Sequence, residues 1–273
     1  MIKREKIPVT GHANTKIDWY TERIRKGILK KDFIDYSRQN ILHTILETKS
    51  KDNADLVIFD VGSHQGESVQ QFCISLLESR EIKDIEFHCF EPLEINVNAI
   101  LRAGVYSNVR AYVINAPVSD KNGIVTFKTS RSDTSSIENH NKKLFDTDSG
   151  RLKYEPREIT KIPAITLDKY IEEYSIAHID YLKIDAENHE DKVLIGAKKA
   201  LKNNIIEYVE VEASCGNFYE RKVNIYDLEK NLIPYGYELV GINGSHRPEC
   251  KKNLIYEKYG CHGGSIELIY KRT

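Results

Sequence analysis

The chain has 273 residues, of which 40% are hydrophobic and 30% are charged, and its formal net charge is -1. This composition is typical of a globular protein with a buried core, and the length fits one or two domains. Basic residues alternate with acids, so charge does not indicate a nucleic-acid partner. The sequence begins without an apolar signal, contains no membrane-length apolar run, and has five cysteines without C-x-x-C spacing. We therefore expect a cytoplasmic protein with reduced thiols.

The first segment in chain order has a helical pattern. Ile17, Tyr20, Ile24 and Ile28 recur at helical spacing, and a similar pattern continues to residue 45. We predict that residues 1–50 form a helical cap. Residues 51–273 are expected to form a Rossmann-like domain with a substrate-side insertion at about 120–160.

From residue 56 the pattern alternates between strands and helices, which predicts an α/β fold with a mostly parallel seven-stranded sheet and helices on both faces. The last two strands lack a helix between them and are expected to form a hairpin. A further short strand is predicted at 124–128, followed by a polar loop at 129–160. The seven predicted sheet strands are 56–61, 85–90, 109–116, 181–185, 205–212, 237–242 and 265–270, and the predicted helices are 67–78, 92–102, 167–174, 190–202 and 225–232.

The first strand ends in Asp60 and runs directly into a turn that contains Gly62 and Gly66. Glycines at such a turn allow the backbone to approach a nucleotide-type ligand closely. A dinucleotide site would require a G-x-G-x-x-G pattern, but His64 and Glu67 occupy two of the relevant positions. Because an acid in the first helical turn repels a diphosphate, the pattern favours a ligand with a cationic group, such as S-adenosylmethionine.

The second strand ends in Glu91, which lies 25 residues after Gly66. This is close to the spacing at which nucleotide-binding sheets place an acid on ribose hydroxyls. A carboxylate suits this role because it accepts two hydrogen bonds from a vicinal diol. The alternative is that Glu91 caps the helix that follows.

Two more acids, Asp185 and Glu187, follow the fourth core strand, at the sheet end where open α/β sheets bind ligands. Asn188 is placed to cap the next helix. Both acids are candidates for chemistry, and the alternative is that both serve in caps or salt bridges.

These motifs, in this order, resemble the FkbM family of S-adenosylmethionine-dependent methyltransferases. The resemblance covers about residues 56–213 and implies a class I methyltransferase fold and methyl transfer to oxygen, often of a sugar or polyketide. S-adenosylhomocysteine would be the product. The blocks that carry the resemblance are 60–66, 90–92, 115–120 with Gly123, 166–168, 182–190, 193–197 and 210–212.

The family also implies roles for individual residues. Asn188 departs from the family, which usually has glycine there, and His64 departs from its usual asparagine. Asparagine tolerates the left-handed conformation, so the turn at Asn188 is compatible with this change. The cofactor-binding residues implied are Asp60 near the methionine part, Gly62 and Gly66 in the loop, Glu91 at the ribose, Asn115 and Ala116 at the adenine, and Asp185 and Glu187 beside the methyl. His64 is a further cofactor-binding candidate in the loop, and its role stays open.

An alcohol acceptor needs a base within hydrogen-bond reach, and the candidates are Asp185, Glu187 and His189, with Glu212 on the next strand. We favour the first two; His189 is equally well interpreted as a capping or surface residue. The two acids could instead hold a divalent cation such as Mg²⁺, since hard oxygen ligands suit it. Side chains suited to a glycan or small-molecule acceptor are Asp133, Glu138, Tyr154 and Tyr219.

Three alternatives remain at this point. Tyr226 and Lys230 form a Y-x-x-x-K downstream of Ser214, which would suit a short-chain dehydrogenase that uses NAD(P). A structural zinc module would use residues 246, 250, 261 and 262, although their spacing fits no standard finger. The third alternative is a non-catalytic cofactor-binding protein. The sequence does not indicate an oligomeric state.

Overall fold

The computed structural model describes residues 2, 4–9, 41, 42, 44, 45, 48, 49, 55–69, 85–104, 109–130, 134–143, 155–214, 218–244 and 265–273. The chain divides into two compact units, Met1–Asn115 with Ile179–Leu182 and Ala116–His178 with Lys183–Thr273. This division does not test the domain boundary expected near residue 50, which stays a prediction. The proposed zinc ligands lie outside the described residues, as does most of the expected helical cap.

The described residues form ten strands and five α-helices, numbered here in chain order. Residues 41, 42, 44, 45, 48, 49 and 67–69 are also helical, and Ile233–Tyr235 forms a 3-10 turn. The strands are β1 (Arg4–Lys6), β2 (Leu56–Val61), β3 (Ile85–Phe90), β4 (Val109–Ile114), β5 (Gly123–Thr129), β6 (Glu158–Ala164), β7 (Ile179–Ile184), β8 (Ile206–Ser214), β9 (Tyr237–Gly244) and β10 (Ser265–Arg272). The helices are α1 (Glu94–Ala103), α2 (Leu167–Tyr174), α3 (Glu190–Gly196), α4 (Lys198–Lys202) and α5 (Ile225–Glu229).

In the first unit the strands lie in the order β1-β4-β3-β2-β7, and β7 belongs to it through its first four residues. Strands β2, β3 and β4 are parallel, whereas β1 pairs antiparallel with β4. From β2 the chain first adds β3 and β4 on one side, and the later strand β7 then lies on the other side of β2. Open α/β sheets bind ligands beyond the carboxyl ends of the strands at the point where the strand order reverses in this way. The predicted α/β fold with a mostly parallel sheet is confirmed.

The core of the first unit explains why β2 and β3 could be read from the sequence. Phe59, Phe87 and Phe90 are almost fully buried, as expected for strands covered on both faces.

A buried acid also fixes the start of β2, since the Asp180 carboxylate accepts hydrogen bonds from the Val57 backbone N–H at 2.8 Å and from Lys49 Nζ at 2.7 Å.

Strand β1 is an eighth sheet strand that the sequence pattern did not predict. Its three residues, Arg4, Glu5 and Lys6, are all charged, so there is no alternation of apolar residues to detect. The strand is held by backbone pairing to β4 and by the Arg4 guanidinium, which lies 4.0 Å from the centre of the Tyr112 ring. Such a cation–π contact stabilises by about 0.5–1 kcal/mol at an exposed position.

In the second unit the strands lie in the order β7-β8-β10-β9, and β5 and β6 form a separate two-stranded sheet. Strands β9 and β10 pair antiparallel, which confirms the expected pairing of the last two strands. Strand β6 begins within the predicted 129–160 loop. It pairs with β5 through backbone groups while Ile159 is 64% exposed, so burial imposes little pattern on this segment.

The helices differ from the predicted ones mainly at their ends. The predicted helix 190–202 is divided at Ala197 into α3 and α4. The helix predicted to begin at residue 92 begins at Glu94, because Leu93 keeps an extended backbone as its N-cap. Helix α2 has the predicted bounds, and the Thr166 side chain caps it by accepting a hydrogen bond from the Lys169 backbone N–H.

Helix α3 packs closely on the segment that contains Ser119. A Cβ added at Gly196 would lie 2.1 Å from the Ser119 carbonyl oxygen, which requires the backbone to shift. We expect Gly196→Ala to lower the free energy of unfolding by about 3 kcal/mol, the upper range for overpacking. Urea unfolding measures this change.

The matched control is Gly123→Ala, because no atom lies within 4 Å of an added Cβ there. Its cost arises only from the φ angle of 134° and should be about 1 kcal/mol. Equal losses at the two positions would contradict the close packing of α3.

Candidate functional site

The turn after β2 is closed by four hydrogen bonds that involve its own residues. The backbone N–H groups of Gly62 and Ser63 both donate to the Phe90 carbonyl oxygen, at 3.0 and 3.1 Å. The Ser63 hydroxyl donates to the Asp60 carbonyl oxygen at 2.7 Å, and the Gly66 N–H donates to the Ser63 carbonyl oxygen at 2.7 Å. The two predicted loop glycines therefore lie in one tight turn joined to the end of β3.

Positive φ angles explain the residue types in this turn. Gly62 has φ +84° and Gly66 has φ +87°, conformations that glycine adopts without steric cost. His64 also has a positive φ, +47°, and its ring nitrogen Nδ1 lies 3.2 Å from the Glu67 carboxylate. Glu67 also accepts the Gln65 backbone N–H at 3.0 Å, so this acid closes the loop from the first turn of the next helix.

Glu91 is buried at the carboxyl end of β3, with 4% of its surface exposed. Its Oε1 atom accepts hydrogen bonds from the Leu93 backbone N–H at 2.9 Å and from Asn96 Nδ2 at 3.1 Å. Burial raises the pKa of Glu91 to about 7, although these hydrogen bonds and the nearby His64 oppose the rise. Glu91 thus has an acid–base equilibrium near neutral pH. Because Leu93 is the N-cap residue of α1, the hydrogen bond from its N–H also agrees with the alternative that Glu91 caps this helix.

The other predicted cofactor residues of the first unit lie around the same strand ends. The side chain of Asn115, just beyond β4, donates to the carbonyl oxygens of Glu91 and Pro92 at 3.1 and 3.0 Å. Asp60 is the fifth residue of β2 and is fully buried. The first unit therefore brings Asp60, the loop and Asn115 to the neighbourhood of Glu91. Ala116 begins the second unit and is 2% exposed.

In the second unit, the chain makes an unusual turn after β7. Glu187 and Asn188 both have left-handed backbones, with φ angles of +53° and +69°. The buried carboxylate of Glu190 supports this turn, because its Oε1 accepts the N–H groups of Ala186 and Asn188 at 2.9 and 3.1 Å. The tolerance expected of Asn188 is confirmed, whereas the left-handed Glu187 was not anticipated. Residues 185–190 are called the acid turn below.

Carboxylates are concentrated around the acid turn. Asp185, Glu187 and Glu212 each bring one oxygen within 4.8 Å of the others. Glu267 lies directly opposite Glu212 in the pairing of β10 with β8. Burial and the negative charges of Asp185 and Glu187 raise the pKa of Glu212 well above its ordinary value. A proton, a bound cation or a hydroxyl donor would relieve this repulsion.

The predicted base candidates differ in their surroundings. Asp185 is paired with the buried Lys183, whose Nζ lies 3.0 Å from its carboxylate. His189 is 5% exposed, and both ring nitrogens have partners: Nδ1 lies 2.6 Å from Glu138 and Nε2 lies 3.0 Å from Ser119. This arrangement is more typical of a histidine that holds segments together than of one that exchanges protons with a ligand.

Arg221 fastens the acid turn to neighbouring segments. Its guanidinium donates to both carboxylate oxygens of Asp191, to Glu138 and to the Asn188 carbonyl oxygen, at distances from 2.8 to 3.0 Å. These acids raise the pKa of Arg221 further above its ordinary value. Its sequence neighbourhood contains no motif, so sequence reasoning did not select it.

Two of the four side chains proposed for the acceptor contact the acid turn. Glu138 pairs with His189 and Arg221, and the Tyr219 hydroxyl donates a hydrogen bond to the Glu187 carboxylate. Ser136, which the sequence analysis did not select, donates from its hydroxyl to the Glu187 carbonyl oxygen at 2.7 Å. Asp133 and Tyr154 lie outside the described residues. The early part of the predicted 129–160 loop is thus attached to the acid turn.

The dehydrogenase alternative receives little support from the geometry. Tyr226 is 71% exposed on the short helix α5, and Lys230 Nζ is paired with Asp227 at 2.7 Å. A catalytic tyrosine–lysine pair would direct both groups toward one reacting atom.

Comparison with known proteins assigns the family. The profile of the methyltransferase FkbM domain matches residues 60–239. The chain belongs to the FkbM methyltransferase family, which confirms the resemblance in the sequence and the expected class of S-adenosylmethionine-dependent methyltransferase. No curated protein matches the chain.

Solved structures show only distant likeness. A magnesium protoporphyrin IX methyltransferase from Synechocystis PCC 6803 is 11% identical, with a TM-score of 0.41, covering 95% of this chain and 92% of that one. A putative S-adenosylmethionine-dependent methyltransferase from Listeria monocytogenes is 8% identical, with a TM-score of 0.43 and coverages of 86% and 98%. A 1,6-didemethyltoxoflavin-N1-methyltransferase from Burkholderia thailandensis is 12% identical, with a TM-score of 0.39 and coverages of 99% and 96%. Within the described part of the chain, no helix has the length and apolar character needed to cross a membrane.

The buried acid of the acid turn yields a prediction about stability and pH. Burial and the nearby charges of Asp185 and Glu187 raise the pKa of Glu190 to about 8. A carboxyl with a raised pKa stabilises the fold fully below its unfolded pKa, and this contribution is lost as the pH rises through 8. We expect the free energy of unfolding to fall between pH 5 and pH 8, by up to about 1.4 kcal/mol per pH unit from this group.

Glu190→Gln keeps an oxygen acceptor for the Ala186 and Asn188 N–H groups but removes the ionisation. The variant should lose this part of the pH slope in denaturant unfolding at pH 5, 6, 7 and 8. Glu172→Gln changes an exposed glutamate and should keep the wild-type slope. Parallel slopes for the wild type and Glu190→Gln would contradict the prediction.

Proposed function

We propose that the protein is an O-methyltransferase that uses S-adenosylmethionine to methylate a hydroxyl group of a sugar, a glycan or a related natural product. The observation that carries the acceptor proposal is the acid turn, where Asp185, Glu187 and Glu212 gather three carboxylates around a strained backbone. Backbone strain of this kind is concentrated at functional sites. Carboxylates suit an acceptor that offers hydroxyl protons.

The residues of the first unit fit the cofactor. The cofactor supplies a methyl group whose bond to sulfur breaks as a bond to the acceptor oxygen forms, with the electron pair passing to sulfur. Glu91 is a buried carboxylate already oriented by Leu93 and Asn96, and a carboxylate accepts hydrogen bonds from a ribose diol. Gly62 and Gly66 have left-handed backbones, which would be strained in a residue with a side chain. Because glycine has no side chain, it also lets a ligand approach the backbone of the loop.

Further roles follow from the family resemblance. Asp60 would lie toward the methionine part of the cofactor, and Asn115 and Ala116 toward the adenine. His64 would lie beside the cofactor loop, without a role that the family implies. The Asn115 amide donates to the carbonyl oxygens of Glu91 and Pro92. These hydrogen bonds would hold the carboxyl ends of β3 and β4 together beside the cofactor.

On the acceptor side, a carboxylate of the acid turn takes the proton of the hydroxyl, since an alcohol is a poor nucleophile until its proton leaves. Asp185 and Glu187 are the proposed bases, and Asp185 would also bind the cofactor. His189 is proposed to hold the acid turn in place rather than to take the proton, because both of its ring nitrogens contact protein side chains, those of Glu138 and Ser119. A divalent cation between the acids remains the alternative way of preparing the acceptor.

The first experiment is calorimetry with S-adenosylmethionine and S-adenosylhomocysteine. We expect binding by the wild type and at least about tenfold weaker binding by Glu91→Ala, the loss of roughly 1.4 kcal/mol or more that accompanies loss of a charge-assisted hydrogen bond. Glu94→Ala is the matched control, because Glu94 is exposed on the adjacent helix. Absence of binding in a folded wild type, with binding of NAD(P) instead, would favour the dehydrogenase alternative.

The pH dependence of binding gives a second prediction. Only the ionised form of Glu91 accepts both hydrogen bonds of a diol, and its pKa is raised to about 7. The dissociation constant for S-adenosylhomocysteine should therefore be about tenfold higher at pH 6 than at pH 8. Glu91→Gln should bind weakly at both pH values, while His64→Asn should keep the wild-type dependence. If His64→Asn alone abolishes the dependence, the assignment to Glu91 is wrong.

The acceptor class requires a separate assay. Radiolabelled methyl transfer to a panel of methyl glycosides and free glycans, with and without Mg²⁺ and with added chelator, tests the hydroxyl acceptor and the metal alternative together. Transfer to RNA, or to small molecules only at nitrogen, would contradict the proposal. Cofactor binding without transfer to any acceptor would favour the non-catalytic alternative. A cytoplasmic location stays a prediction that cell fractionation tests.

A further inference from the structure

Glu187 is held at both ends by residues of other segments. The Ser136 hydroxyl donates to its carbonyl oxygen at 2.7 Å, and the Tyr219 hydroxyl donates to its carboxylate oxygen Oε2. The backbone of Glu187 is left-handed, which is costly for a residue with a side chain. Hydroxyl groups from two other segments therefore hold both the backbone and the carboxylate of Glu187.

Tyr219 itself is fixed independently of Glu187. Its side chain is almost fully buried, and its ring stacks on His140 with a centroid distance of 4.7 Å and an interplanar angle of 28°. The backbones of the two residues form a β-bridge. On either side, the Asn141 N–H donates to the Phe218 carbonyl oxygen and the Glu220 N–H donates to the Asn139 carbonyl oxygen, each at 2.8 Å.

The phenol is a neutral donor throughout the physiological pH range. Burial and the negative charge of Glu187 raise the pKa of Tyr219 well above its ordinary value. Glu190 and Glu212 are the other acids near the phenol, and they act in the same direction. The hydroxyl proton of Tyr219 therefore stays on oxygen and stays directed at Glu187.

The three acids whose carboxylates cluster here, Asp185, Glu187 and Glu212, have different neighbours. Asp185 has the ammonium of Lys183, which disfavours its protonation. Glu212 lies opposite Glu267, in a pairing of like charges. Glu187 has a neutral phenol, which orients a carboxylate while opposing protonation less than a full positive charge does. Of the three, Glu187 is the acid that hydroxyl groups hold at both its carboxylate and its backbone carbonyl, those of Tyr219 and Ser136.

We propose that Tyr219 is a positioning residue that orients Glu187 as the base for the acceptor hydroxyl, an inference that rests on the proposed methyltransferase function. The proton of the acceptor hydroxyl moves to a carboxylate oxygen of Glu187, and Tyr219 keeps its own proton as the donor. Ser136 supports the same residue from its backbone side. Asp185 and Glu212 then remain as electrostatic neighbours of the base.

The test uses Tyr219→Phe in the full chain, because this change removes the hydroxyl and keeps the ring on His140. Carbonyl-detected NMR with ¹³C-labelled glutamate, with Glu187→Gln used to assign the Glu187 signal, follows that carboxyl through a pH titration. We expect a changed Glu187 chemical shift in Tyr219→Phe and a titration at higher pH than in the wild type, since a donor to the charged form has been lost.

The matched control is Tyr237→Phe. Tyr237 is also a buried tyrosine whose hydroxyl donates, in its case to the Ile206 carbonyl oxygen at 2.5 Å, and within the described part of the chain this hydroxyl makes no hydrogen bond to the acid turn. This variant should leave the Glu187 signal unchanged. If Tyr219→Phe also leaves the shift and titration of Glu187 unchanged, the proposal is overturned.

Measurements of kcat and KM distinguish a failure of the positioning role of Tyr219 from a failure of the proposed methyltransferase function. With a methyl glycoside that is methylated, Tyr219→Phe should lower kcat at least about tenfold and leave the KM for S-adenosylmethionine within about twofold, while Tyr237→Phe keeps the wild-type kcat. The loss should be smaller in a Glu187→Gln background, since the two residues act together. If the cofactor binds but no saccharide is methylated, the acceptor class fails while the NMR experiment still decides the role of Tyr219. An unchanged kcat in Tyr219→Phe would overturn the positioning role.

Discussion

The acid turn depends on the buried carboxylate of Glu190. Its Oε1 accepts two backbone N–H groups, those of Ala186 and Asn188, which would otherwise lack partners between β7 and α3. These bonds hold two consecutive left-handed residues, and a conformation of this kind persists only where its surroundings compensate for it. An unsatisfied buried N–H costs about 1–3 kcal/mol, so two of them outweigh much of the strain. The side chains proposed to handle the acceptor are attached to this turn.

Within each unit, the acids proposed for function lie in different environments. Glu91 and Glu190 are both buried, and burial raises the pKa of each toward or above neutrality. Asp185 has a cationic partner and Glu187 a neutral donor. Acids of one chemical type are thus given different affinities for protons by their surroundings, which is how enzymes combine ligand binding and proton transfer with the same few side chains.

Much of the fold and part of the candidate site could be predicted from the sequence, for reasons that differ between elements. Strands β2, β3 and β4 were predictable because most of their residues are apolar and buried, and Gly62 and Gly66 because a tight turn restricts residue choice. Strand β1 and the start of β6 were missed because neither has the alternation of buried apolar residues that marks a strand in a sequence. The links of Ser136, Glu138 and Arg221 to the acid turn join positions up to 51 residues apart, and no local pattern encodes such contacts.

The charged strand β1 has a consequence for solubility. It forms the outer edge of the sheet in the first unit and pairs with residues 112–114 of β4, whose backbone groups would otherwise be open to another strand. Exposed strands of that kind recruit other chains and promote aggregation. A three-residue strand of Arg4, Glu5 and Lys6 satisfies the inner edge and gives an approaching strand only a short, charged template. Three residues that contribute little to the core thus protect the chain from self-association through its sheet.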